Sequence, residues 1–236
     1  MLEWRREPVR SAPMSVALNV ALNLVIVSLL VVAGTAARAS DEVPLEPYAL
    51  DDIGRTVEVK GPMRCPTVPL EPHPGGAPRW KTPLKVHPAF ANRLDQFEAV
   101  VVSVATRIYG RAPTRITHLG SFNCRRIARY PDLLSEHGLG NAVDVAGFEF
   151  PALSRADAKT SSLPRALQRA FKVTVLEHWD DAKEGSAAAL HSQFLHALTA
   201  ALEARPDIFR VMLGPAYPGH KNHFHFDCAP YRLVVL

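Results

Sequence analysis

The stretch Gly219-His220-Lys221-Asn222-His223-Phe224-His225-Phe226-Asp227 holds three of the ten histidines of this 236-residue chain. His223 and His225 are separated by one residue, and Phe224 and Phe226 alternate with them. Alternation at period two predicts a strand with one apolar face and one imidazole face. On such a strand the two imidazoles point the same way, about 7 Å apart at Cα. That arrangement suits metal binding or acid–base chemistry.

A second stretch supplies a further imidazole and a carboxylate. Residues 135–144 read Ser135-Glu136-His137-Gly138-Leu139-Gly140-Asn141-Ala142-Val143-Asp144. The two glycines allow a tight turn and a close backbone approach. Asn141 to Phe148 then predicts a short strand, with Asp144 on the face of Ala142 and Ala146 and with Val143 and Val145 on the other. Small neighbours on both sides of a carboxylate leave room for an ion. Two imidazoles and one carboxylate make a three-ligand zinc set with a fourth position open for water.

The pattern Ser135-x-His137-x-x-Gly140-x-Ala142-x-Asp144, followed by His223-x-His225, resembles the zinc peptidases grouped as lysostaphin, D-Ala-D-Ala peptidases and sonic hedgehog. The first motif is similar to the D-Ala-D-Ala carboxypeptidase form, and His220-x-x-His223-x-His225 to the penicillin-insensitive murein endopeptidase form. From about Ile116 to Asp227 the chain resembles the bacterial extensin-like C-terminal domain family, through Gly120-Ser121-Phe122-Asn123-Cys124-Arg125, Ser135–Phe148, and Leu213-Gly214-Pro215 onward. The resemblance implies Zn²⁺ held by His137, Asp144 and His225. It implies His223, with His220 as a second imidazole, in proton transfer or oxyanion stabilisation. It also implies Arg125 and Ser135 as contacts to substrate, because a guanidinium clamps a carboxylate or carbonyl oxygen with two bonds. Some relatives carry a glutamate three residues before the last histidine ligand. Here that position is Asn222, which takes no proton. Glu136 and Asp227 are the alternatives as base or as orienter of a ligand.

The 47% hydrophobic and 21% charged composition is that of a globular domain with material for a core. The formal charge of +4 fits attraction to an anionic envelope polymer, and no Lys/Arg block with interleaved aromatics points to nucleic acid. Residues 1–40 read as a targeting segment. Arg5, Arg6 and Arg10 precede an apolar run from Met14 to Gly34, and Ala37-Arg38-Ala39 offers a small-x-small cleavage site. A cleaved signal peptide and a membrane anchor are both open. Export to the periplasm or cell envelope implies an oxidising compartment. The three cysteines, Cys65, Cys124 and Cys228, then predict one disulfide and one odd thiol, with three pairings open. Alternation turns Cys228 away from the face of His225.

Residues 41–85, with Pro62, Pro66, Pro69, Pro72, Pro74 and Pro78, read as an extended lead-in containing one short strand at Arg55–Lys60 and a surface histidine, His73. Residues 86–236 form the domain. Phe90, Leu94, Phe97, Val101 and Val104 predict a helix from His87 to Tyr109, ended by Gly110. Strands are predicted over 115–122, 171–177 and 208–213, a short amphipathic piece over 163–171, and a helix over 187–203. His118 reads as structural, and the spacing of His191 and His196 excludes a ligand pair. The fold class is α+β, a small, mainly antiparallel sheet carrying the zinc site with helices on its opposite face. By analogy the expected activity is hydrolysis of a peptide bond in peptidoglycan, with a zinc-containing binding module without turnover as the rival.

Overall fold

The computed structural model describes residues 45–180 and 183–236. The expected targeting segment at residues 1–40 lies outside them. Among the described residues, no helix is long and apolar enough to cross a membrane.

In chain order the elements are β1 (Glu71–His73), β2 (Arg79–Trp80), β3 (Leu84–Val86), α1 (Pro88–Tyr109), β4 (Arg115–Gly120), β5 (Arg126–Ile127) and β6 (Tyr130–Leu134). A 3-10 turn (Glu136–Leu139) precedes β7 (Ala142–Phe150), α2 (Arg155–Thr160), α3 (Arg165–Gln168), β8 (Phe171–Thr174), α4 (Val175–His178), α5 (Ala187–Glu203), β9 (Val211–Leu213), β10 (Phe224–Asp227) and β11 (Leu233–Val235). The described residues form a seven-stranded sheet in the order β11-β9-β10-β7-β4-β2, with β8 also paired to β7. β10 runs antiparallel to β7 and β9, and β4 and β8 run antiparallel to β7. The two outermost pairs, β2 with β4 and β11 with β9, are parallel. The architecture is therefore α+β with a mainly antiparallel sheet, as the sequence predicts.

Helix α1 begins where its chemistry says it should. His87 caps it, its Nδ1 accepting from the Ala89 amide at 3.1 Å, and Pro88 opens the first turn, where its missing N–H costs nothing. Gly110, at φ 68°, ends it in the left-handed conformation. Its stripe of Phe90, Leu94, Phe97, Val101 and Val104 is buried as predicted. Phe226 of β10 packs 4.9 Å from Phe209 and 5.7 Å from Phe97 between ring centres, and Phe224 lies 5.1 Å from Trp179. The helices thus cover the phenylalanine face of β10, and alternation turns its histidine to the other side.

Several local expectations do not hold. The strand predicted at 55–60 is a single bridge, Thr56 to Leu133, flanked by the bonds Val57 N–H to Asp132 O and Leu134 N–H to Arg55 O. The strand predicted over 171–177 stops at Thr174. Its hydroxyl accepts from the Glu177 amide and starts a helical turn instead. The amphipathic piece at 163–171 holds the one-turn helix α3, and the strand over 208–213 shortens to β9. The β5–β6 hairpin and β11 carry no clear periodic signal. The Pro-rich segment packs into the core through Tyr48, Leu50, Trp80 and Leu84. His73, expected at the surface without partners, is buried instead. Its Nε2 lies 2.8 Å from Glu98 Oε1, which also accepts from the Trp80 indole at 2.7 Å, while Oε2 accepts from the Gly76 amide. One buried carboxylate on α1 thereby anchors β1, β2 and the turn between them.

Cys65 and Cys124 form the disulfide, bridging the Pro-rich segment to the loop after β4. Cys228 is the odd thiol, buried, with Sγ donating to the Ile208 carbonyl at 3.3 Å. Burial pushes that thiol well above its ordinary pKa. We expect an alkylating reagent to leave the folded protein unmodified, to label one thiol after unfolding without reductant, and to label three after reduction. Mass spectrometry reads the count directly. Three labels without reductant would contradict the bridge, which for such a spacing typically stabilises by about 2–4 kcal/mol.

Candidate metal centre

The register of β10 on β7 sets His225 directly opposite Asp144, with the pairs Phe224–Val145 and Phe226–Val143 on either side. On the other flank of β7, Gly120 of β4 pairs with Asp144 and adds no side chain. The 3-10 turn brings His137 to the same place. Gly140 ends that turn at φ 61°, and its carbonyl accepts from the His87 amide at 2.9 Å. A β-carbon at Gly140 would lie 2.4 Å from Leu70 Cδ2 and 2.9 Å from His87 N. Both the left-handed backbone and the close approach therefore demand glycine. Gly140→Ala should destabilise the fold by about 1–3 kcal/mol and displace His137. Chemical denaturation checks it, and a change below about 0.5 kcal/mol would contradict the argument.

Three ligand atoms converge. His137 Nε2 lies 3.2 Å from Asp144 Oδ1 and 3.1 Å from His225 Nδ1, and His225 Nδ1 lies 2.9 Å from Asp144 Oδ1. Ligands about 2.0–2.1 Å from a tetrahedral zinc stand about 3.3 Å apart, so the triangle is close to the right size. The hydrogen bonds on the far sides of the rings decide which nitrogens face inward. His137 Nδ1 is 2.6 Å from the Ser121 carbonyl, which only accepts, so Nδ1 carries the proton and Nε2 keeps its lone pair. His225 Nε2 is 2.7 Å from Asp227 Oδ2, so Nε2–H donates there and Nδ1 faces the triangle. Lone pairs on two nitrogens and a carboxylate oxygen then meet in a buried space, which favours a cation among them.

The electrostatics agree. Burial alone would raise Asp144, but hydrogen bonds and charge from His137 and His225 hold its carboxyl far below the usual range. Burial alone would lower His225, but the Asp144 and Asp227 carboxylates lift it to about 9, so without an ion the ring holds a proton on each nitrogen, and a bound cation takes the place of the one on Nδ1. The site attracts positive charge from both sides.

His223 lies just outside the triangle, with Nε2 3.7 Å from Asp144 Oδ1. Its Nδ1 is 2.8 Å from Asn222 Oδ1, so Asn222 accepts that proton's hydrogen bond and leaves Nε2 bare toward the site. Burial pushes its pKa down to about 4, so the ring is neutral at pH 7. His220 stands beside it, ring centres 4.7 Å apart, and 5.8 Å from the His225 ring. Arg125 has an exposed side chain that makes no hydrogen bond among the described residues, and its carbonyl accepts from the Ser135 amide at 3.0 Å. Ser135 is 5% exposed at the start of the 3-10 turn. Of the two residues expected to meet substrate, only Arg125 is openly accessible.

Glu136 points away from this chemistry. It pairs with Arg55 at 2.9 Å and accepts from Asn141 Nδ2 at 2.6 Å, while the Tyr48 hydroxyl donates to Asn141 Oδ1 at 2.8 Å. Neither the Ser121 carbonyl nor the Arg55–Glu136 pair has a sequence signal. Asp227 has one, because it continues the alternation of His223 and His225. His118 Nε2 lies against Thr82, and its Nδ1 is buried with no hydrogen-bond partner among the described residues.

The fold and site together define an α+β domain with a His/Asp/His cluster on the sheet face opposite its helices. A family model described as Extensin-like protein C-terminus matches residues 58–234, and the chain belongs to that family. No protein of curated function and no solved structure matches it.

Proposed function

We propose that the chain is a zinc-dependent peptidase of the cell envelope that hydrolyses a peptide bond in peptidoglycan stem peptides or cross-links, as a carboxypeptidase or an endopeptidase. The observation that carries this reading is the convergence of His137 Nε2, Asp144 Oδ1 and His225 Nδ1, with each ring's other nitrogen already hydrogen-bonded elsewhere. The motif resemblance to zinc peptidases supports the substrate class, and the N-terminal targeting pattern supports export to the periplasm or envelope, by signal cleavage or by anchoring.

Zinc, when bound, supplies Lewis acidity and makes a water acidic near neutral pH. The chain supplies the rest. Asp144 contributes one negative charge to the holding of a dication. His223 offers an unprotonated Nε2 that accepts a proton, with Asn222 fixing its ring from behind. His220 packs against His223 and helps keep it in place. The exposed Arg125 guanidinium engages a carboxylate or carbonyl oxygen of the substrate.

Two measurements on tag-free protein test the proposal: elemental analysis, and release of peptides or amino acids from purified sacculi. About one zinc per chain is expected, with release that stops on chelation and returns with added zinc. Zinc without release would favour the rival binding module, which Asn222 at the glutamate position makes a specific alternative. Folded protein that takes up no zinc would end both readings.

A further inference from the structure

Asp227 is 4% exposed, and both its oxygens are engaged. Oδ1 accepts from the Ala229 amide at 2.8 Å, and Oδ2 accepts from His225 Nε2 at 2.7 Å. The backbone bond fixes the carboxylate, and the carboxylate faces the outer nitrogen of a proposed ligand.

We propose that Asp227 is the positioning residue of the site: it selects the tautomer of His225 that binds metal. This rests on the metal-centre reading above. A neutral imidazole carries one proton on either nitrogen. If His225 held it on Nδ1, that N–H would donate to Asp144 Oδ1, 2.9 Å away, and the triangle would close on itself as an ordinary hydrogen bond. An acceptor-only carboxylate on Nε2 draws the proton outward and leaves the Nδ1 lone pair for the ion. Asp227 also brings a second negative charge. Asp144 and Asp227 together carry the −2 that balances a buried dication, so the loaded site is formally neutral. His137 needs no such partner, because the Ser121 carbonyl already holds its Nδ1–H at 2.6 Å.

Asp227→Asn keeps the shape and removes the selection. With its amide group toward His225, the asparagine donates to Nε2 and drives the proton to Nδ1. With its oxygen toward His225, the amide group meets the Ala229 N–H and loses that bond. The expected result is a 10–100-fold loss of Zn²⁺ affinity in competition with a chromophoric chelator, and an altered visible spectrum of the Co²⁺ form. Rescue by the conservative variant separates positioning from mere structure. Asp227→Glu, which keeps an acceptor-only carboxylate toward Nε2, should recover affinity and the Co²⁺ spectrum that Asp227→Asn loses. Equal affinity of Asp227→Asn and wild type would overturn the inference while leaving the metal centre standing. A wild type that binds no Zn²⁺ would overturn both. Should the variant fail to fold, ¹⁵N spectra of zinc-loaded wild type still decide. They should show His225 metallated at Nδ1 and protonated at Nε2, and metal on Nε2 would overturn the proposal.

Discussion

His225→Ala is expected to lose zinc and activity together, whereas His223→Ala keeps zinc and loses turnover. His225 supplies one corner of the triangle, within about 3 Å of both other ligand atoms. Its removal leaves two ligands for an ion that structural and catalytic zinc sites hold with three or four protein groups. His223 stands outside, 3.7 Å from Asp144 Oδ1, so all three ligands survive its loss. What goes is a neutral imidazole with its lone pair toward the site. Groups of that kind contribute about 10²–10⁴-fold to a rate. The measurements are zinc per chain and the rate of peptide or amino-acid release from peptidoglycan for both variants. Loss of zinc in His223→Ala with retention in His225→Ala would reverse the assignment. Unchanged activity in both would remove the histidine strand from the active site.

Arg55→Ala is expected to destabilise the fold by about 3–5 kcal/mol, the scale for removing one partner of a buried ion pair. The side chains of Arg55 and Glu136 are 12% and 6% exposed. The same guanidinium donates to the carbonyls of Leu50 and Ile53. Without it, the Glu136 carboxylate stays buried with Asn141 as its remaining side-chain donor, and the turn at residues 50–53 loses its tie. Burial already raises the Glu136 pKa against the pull of Arg55. Glu136 precedes His137, so zinc affinity should fall with stability. Equilibrium denaturation of Arg55→Ala, Glu136→Gln and the double variant gives the coupling. A single-variant loss below about 1 kcal/mol would show the pair to behave as a surface contact.

The sequence alone determined which side chains share a face. Phe224 and Phe226 against His223 and His225, Asp144 with Ala142 and Ala146, and the stripe along α1 all follow from local periodicity, and with them the α+β class. Local turn chemistry placed a tight turn at Gly138 and Gly140, between His137 and Asp144. It misjudged the length of β8, because the Thr174 hydroxyl accepts from the Glu177 amide and starts a helical turn there. Periodicity says which way a side chain points but not what it meets. The opposition of His225 and Asp144 depends on the register between strands that are 81 residues apart in sequence. The pairing of Cys65 with Cys124, of Arg55 with Glu136, and of His73 with Glu98 depends on approaches across the chain that no repeat announces. Even the nitrogen that His137 and His225 each turn toward Asp144 was decided by tertiary structure, since the Ser121 carbonyl and the Asp227 carboxylate hold the outer N–H of each ring.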